Sequence, residues 1–147
     1  MSYSAVDVAK HMVTYCSQKS TPISNLKLQK MLYYAWIDYF KETRQVLFSE
    51  NICAWQFGPV VPEVYYEFCM YAGRPIYQEF PASIETSDAE VLNRIIDRYR
   101  SIPANELVEL SHKAGGAWDS VFQNGAGLRA VIPFSLIMSL ECDWNRC

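Results

Sequence analysis

Little in this chain of 147 residues lends itself to catalysis. Histidine occurs twice, as His11 and His112. His11 falls on an amphipathic stretch, where a surface or half-buried polar residue is the ordinary reading. His112 falls at a predicted helix end, where the helix dipole favours an imidazole without any chemistry. Ser111, His112 and Asp119 are the right types for a nucleophilic triad. Neighbours on a helix point in different directions, however, and no G-x-S-x-G elbow accompanies them. There is no H-E-x-x-H, no EF-hand loop and no pair of cysteines two apart, so no metal is expected. Gly125-Ala126-Gly127 lacks both the third glycine and the preceding strand of a dinucleotide fingerprint and reads as a turn. These absences predict a protein that is not an enzyme and needs no cofactor.

No apolar run reaches about 18 residues and no charged-then-apolar leader opens the chain, so a cytoplasmic protein without a membrane span is expected. The net charge of −3 and pI near 5.4 give no overall attraction to nucleic acid or to an anionic membrane. Lys27, Lys30, Lys41 and Arg44 form a local basic group, but Asp38, Glu42 and Glu50 lie in the same region, so a nucleic-acid-binding regulator is only an alternative. The five cysteines are odd in number, which argues for reduced thiols over a disulfide framework. Cys16, Cys53 and Cys69 fall on apolar stretches as small core residues. Cys142 and Cys147, near the end of the chain, are expected to be the most oxidisable.

What the chain does have is apolar and aromatic: half its residues are hydrophobic, with seven Phe, four Trp and ten Tyr. A dense core and a protein-binding face account for that excess equally well. Helical periodicity with a Ser4 cap marks a helix over residues 4–19, and a Ser24 cap starts another on which Leu28, Met31, Leu32, Ala35, Trp36 and Tyr39 form a stripe. Tyr33, Tyr34, Ile37 and Phe40 fall outside the stripe, so this helix is expected to be central. Val46-Leu47-Phe48 and Ile52–Trp55, separated by Ser49-Glu50-Asn51, predict a hairpin. In WQFGPVVPEVYY, Pro59 and Pro62 stiffen an extended connection, and Pro62 suits the first turn of a third helix.

Residues 76–84 show no helical period. Ser87 with Glu90 matches a capping box before a helix whose Arg94, Arg98 and Arg100 read as a solvated face, with an acidic partner as the alternative. Pro103 and Pro133 open two more helices. The prediction is a mainly α fold: a single compact helical domain over residues 1–147, with a short β-hairpin inserted between the second and third helices.

The strings LKLQKMLYYAW, VLFSENICAWQFGPVVPEVYYEF, YAGRPI and LVELSHKAGGAWDSV, in that order across residues 24–122, resemble the Panacea domain, the SocA-like antitoxin domain of bacterial and prophage toxin–antitoxin pairs. The resemblance implies a mainly α fold with a short hairpin. It also implies a protein that neutralises, by direct binding, a toxin encoded by a neighbouring gene. Some members of the family are adaptors that hand the toxin to a protease, and the resemblance supplies no catalytic residues. Of the motif positions, Leu28, Trp55, Gly58, Pro59, Pro62 and Tyr65 read as architectural. Lys30, Tyr33 and Tyr34, which lie off the core stripe, and Gln56 and Phe57, at the mouth of the Gly-Pro loop, are the candidates for partner contact.

Overall fold

The computed structural model describes residues 2–143. Helix α1 (Ala5–Gln18) begins where Ser4 accepts the Asp7 N–H, and it buries Val8, Ala9, Met12, Val13 and Cys16. Helix α2 (Asn25–Thr43) begins where Ser24 accepts the Lys27 N–H and ends at Arg44, which takes the left-handed conformation and donates its N–H to Phe40. Both serines satisfy N–H groups that a helix start leaves without partners.

Helix α2 is the centre of the fold. Around it lie α1, α3 (Pro62–Glu67), α4 (Thr86–Tyr99), α5 (Ala104–Ser111) and α7 (Phe134–Glu141), while α6 (Ala117–Phe122) packs on α7. Having neighbours on so many flanks explains why Tyr33, Ile37 and Phe40, off the stripe, are buried with it. One core cluster runs from Ala5 to Cys142. No helix among the described residues is long and apolar enough to cross a membrane.

The hairpin lies between α2 and α3, but its strands are not the predicted pair. Strand β1 (Cys53–Trp55) pairs antiparallel with β2 (Gly58–Val60), in the register Cys53 to Val60 and Trp55 to Gly58, around the two-residue turn Gln56-Phe57. The run Val46-Leu47-Phe48 forms no strand, since its carbonyls are engaged elsewhere: Leu47 accepts the Tyr3 N–H and Phe48 accepts the Trp36 indole N–H at 3.0 Å. The Gly-Pro segment read as a connection is itself a strand. Pro59 is tolerated there because its partner Ala54 turns its own polar groups away from β2, donating to Ala130 at 2.8 Å and accepting from Arg129 at 2.6 Å. No ladder bond is lost to the proline.

Three further expectations change. Helix α4 starts at Thr86, with Glu85 as a cap that makes no side-chain bond, so the Ser87–Glu90 box does not form. Its arginines are not simply solvated: Arg94 pairs with Glu42, and Arg98 with Asp38 and Glu42 of α2. Cys69 is exposed whereas Cys142 is buried, because Cys69 falls in a single 3₁₀ turn after α3 and Cys142 tucks under α2 near the Ile37 carbonyl. Cys147 lies outside the described residues.

Candidate functional site

A cleft of about 560 Å³ is bounded by the start of α2, the hairpin turn, α3 and the Leu128–Arg129 segment. Its floor is made by Asn25, Gln29 and Lys30 of α2. Gln29 Oε1 accepts the Val61 N–H at 2.9 Å, and Gln29 Nε2 donates to Asn25 Oδ1 at 3.0 Å. Asn25 Nδ2 in turn donates to the Tyr65 carbonyl at 3.1 Å. Lys30 Nζ donates to the Pro59 carbonyl at 2.8 Å. Two adjacent polar side chains of a buried helix face therefore satisfy the main chain of β2 and of its junction with α3, which the pairing with β1 leaves open.

The walls are aromatic. The Trp55 ring meets Tyr65 edge-on at 5.0 Å between centres, and the Arg129 guanidinium lies 4.3 Å from its centre. Leu26, Phe57 and Leu128 form an apolar rim with 40%, 60% and 52% of their surface exposed. Such side chains normally mark a contact surface when they gather around a concavity.

The five residues expected to contact a partner separate into two groups. Lys30, Gln56 and Phe57 line the cleft, Lys30 at its floor and the other two exposed at its mouth. Tyr33 and Tyr34 do not line it. Tyr33 is buried, with its hydroxyl 3.4 Å from Glu141, and Tyr34 is half-buried, stacked on Tyr99 at 5.2 Å. The premise that positions off the stripe face outward fails for Lys30 and Tyr33, because neighbours surround α2. Trp55 and Tyr65, which the sequence presents as architectural, are half-buried and line the cleft. Arg129 carried no sequence signal, lying far along the chain after a glycine-containing turn.

Burial pushes the Lys30 ammonium down from 10.5 to about 7. His112 caps α5 and stacks flat on Trp118 at 3.8 Å. Burial, with Lys30 nearby, lowers it below the usual imidazole range. Neither arrangement resembles a nucleophile with its base: Ser111 Oγ donates to the Val108 carbonyl at 2.7 Å. The basic group of α2 is also dispersed, with Lys30 buried and Lys27 donating to the Arg100 carbonyl at 2.5 Å. Among the described residues no cluster of three His, Cys, Asp or Glu side chains is placed to hold a metal.

Residues 28–119 match the family described as Antitoxin SocA-like, Panacea domain. The chain belongs to this family. Antitoxin SocA of Caulobacter vibrioides (strain NA1000 / CB15N) is 31% identical to it over 141 residues, covering 86% of this chain and 73% of that protein. No solved structure matches. Membership of the Panacea-domain family supports an antitoxin role in a toxin–antitoxin system. The matched segment includes Gln29, Lys30, Trp55, Phe57 and Tyr65 of the cleft, while Leu26, Leu128 and Arg129 lie beyond it.

Proposed function

We propose that this chain, acting as one domain in the cytoplasm, neutralises a cognate toxin encoded by a neighbouring gene through direct protein–protein binding at the cleft. The observation that carries this reading is the apolar rim of Leu26, Phe57 and Leu128 around a cleft walled by Trp55 and Tyr65. Large aromatic side chains in such a setting are the usual anchors of protein interfaces. Gln56 and Phe57 are the direct contacts at the mouth, and Lys30 contributes from the floor. The dispersal of the α2 basic group removes the main support for nucleic-acid binding.

The test is co-expression of the chain with the product of the adjacent gene, followed by purification of the pair. Growth arrest relieved by the wild type but not by Phe57→Asp, with both variants melting alike, is the expected result. Full protection by Phe57→Asp would place the contact elsewhere, and arrest that the wild type does not relieve would reject the role itself. Stoichiometric neutralisation and hand-over to a protease share the binding step and differ in the fate of the toxin. An unchanged toxin half-life supports the former.

A further inference from the structure

We propose that the cleft receives an acidic side chain of the toxin, a Glu or Asp set between apolar residues, which pairs with Arg129 while Lys30 adds positive charge from beneath the floor. The inference rests on the direct-binding reading above and goes further by naming the chemistry of the group received. Two residues with a formal charge line the cleft, Lys30 and Arg129; both are basic, and no carboxylate lines it. This occurs in a chain whose net charge is −3.

Neither basic residue forms an ion pair with a carboxylate among the described residues. Arg129 is exposed, and its main chain is held in the left-handed region (φ 69) with its N–H on the Ala54 carbonyl. Its guanidinium lies against the Trp55 ring. A guanidinium oriented by an aromatic ring keeps in-plane N–H groups for a carboxylate, which it can grip with two parallel bonds. Lys30 directs one hydrogen bond to Pro59 and is fully buried. Burial alone holds its ammonium at about 7, and a carboxylate arriving above the floor favours the protonated form and supplies its counter-ion.

The apolar rim favours a protein side chain over a nucleic-acid phosphate, since phosphate backbones are held by many distributed cations. Because Lys30 has no exposed surface, it acts through the floor, and the carboxylate meets Arg129 directly. A chain-terminal carboxylate would bring its own side chain into the same space.

The experiment uses the full chain and the toxin that the neutralisation assay identifies. Arg129→Glu should weaken binding by at least about tenfold with an unchanged melting temperature, and Arg129→Lys should retain most of the affinity. Each Asp and Glu of the toxin is then reversed to Lys in turn. One reversal should weaken binding to the wild type and restore binding to Arg129→Glu. Wild-type affinity in Arg129→Glu, or failure of every toxin reversal to restore it, would overturn the proposal. So would loss of wild-type binding when the toxin's C-terminus is extended by a Gly-Ser tail, which would identify a terminal carboxylate as the ligand. Failure of the wild type to bind any toxin would reject the direct-binding reading first, and this inference with it.

Discussion

Trp118 donates its indole N–H to the main-chain oxygen of Trp55 across 2.9 Å, joining α6 to the last residue of β1. The same indole is stacked between His112 at 3.8 Å and Phe122 at 4.4 Å. The aromatic wall of the cleft is therefore fixed from behind by a residue that does not line it.

Removing that support in two steps separates the hydrogen bond from the packing. Trp118→Phe keeps an aromatic ring in the stack and loses the donor, which should cost about 1–2 kcal/mol as the Trp55 carbonyl loses its partner. Trp118→Ala removes the buried ring as well and should cost about 3–5 kcal/mol. Urea unfolding monitored by far-UV circular dichroism measures both. Equal losses in the two variants would mean that the stacking contributes nothing.

Gly58 is the next point of sensitivity. It opens β2 at φ +114, a conformation that L side chains rarely adopt, and an added Cβ would lie 2.7 Å from Ser111 Oγ and 2.8 Å from Lys30 Cε. Backbone strain and overpacking of the cleft floor act together in Gly58→Ala, so the loss should reach roughly 2–4 kcal/mol. The same substitution at Gly115, where φ is +78 but nothing lies within 4 Å, should cost only the strain, about 1–2 kcal/mol. A Gly58 variant no worse than the Gly115 one would refute the close approach of Lys30 and Ser111.

What could be read from the sequence was local chemistry. The starts of α1, α2, α5 and α7 follow from Ser4, Ser24, Pro103 and Pro133, because capping and the fixed φ of proline act within one turn. The hairpin's interval and its first strand, within Ile52–Trp55, follow from the sequence, but its partner does not, since the choice between residues 46–48 and 58–60 depends on which carbonyls Tyr3 and Trp36 engage from elsewhere in the fold. Part of the cleft's lining follows from local chemistry. Gln56 and Phe57 are exposed because they form a turn, which is local, whereas Lys30 is buried by β2 and the end of α5, which is not. Arg129 reaches the cleft through the main-chain bonds that its own N–H and the Ala130 carbonyl make to Ala54, which no periodicity announces.

Thiol reactivity gives a check on the fold that needs no partner. Among the described cysteines Cys69 is exposed, while Cys16, Cys53 and Cys142 are buried. Burial pushes the Cys16 and Cys142 thiols up to about 11, which suppresses the reactive thiolate further. Cys69→Ser should therefore remove one rapidly labelled thiol in the native protein, and Cys142→Ser should remove none. Fast labelling of Cys142 would contradict its place beneath α2.

Lys30 should leave a signature in the pH dependence of folding. Burial lowers its ammonium from 10.5 to about 7, so between those values the unfolded chain binds more protons than the folded one. Stability should therefore rise with pH across that window, by up to about 1.4 kcal/mol per unit, and the penalty present below pH 7 is gone once the unfolded lysine is also neutral. His112 is the titratable neighbour, and its lowered pKa leaves it neutral throughout the window. Burial raises Tyr33 and Tyr34 above the ordinary phenol value, so the comparison is best confined to pH 7–9, before the unfolded tyrosines ionise. Lys30→Met removes the titrating group and leaves the Pro59 carbonyl without its donor. Its deficit against the wild type should be small near pH 7 and widen by about 2–3 kcal/mol at pH 9. Denaturant unfolding at several pH values measures the difference, and parallel stability curves for the two proteins would show that Lys30 keeps an ordinary ammonium in the fold.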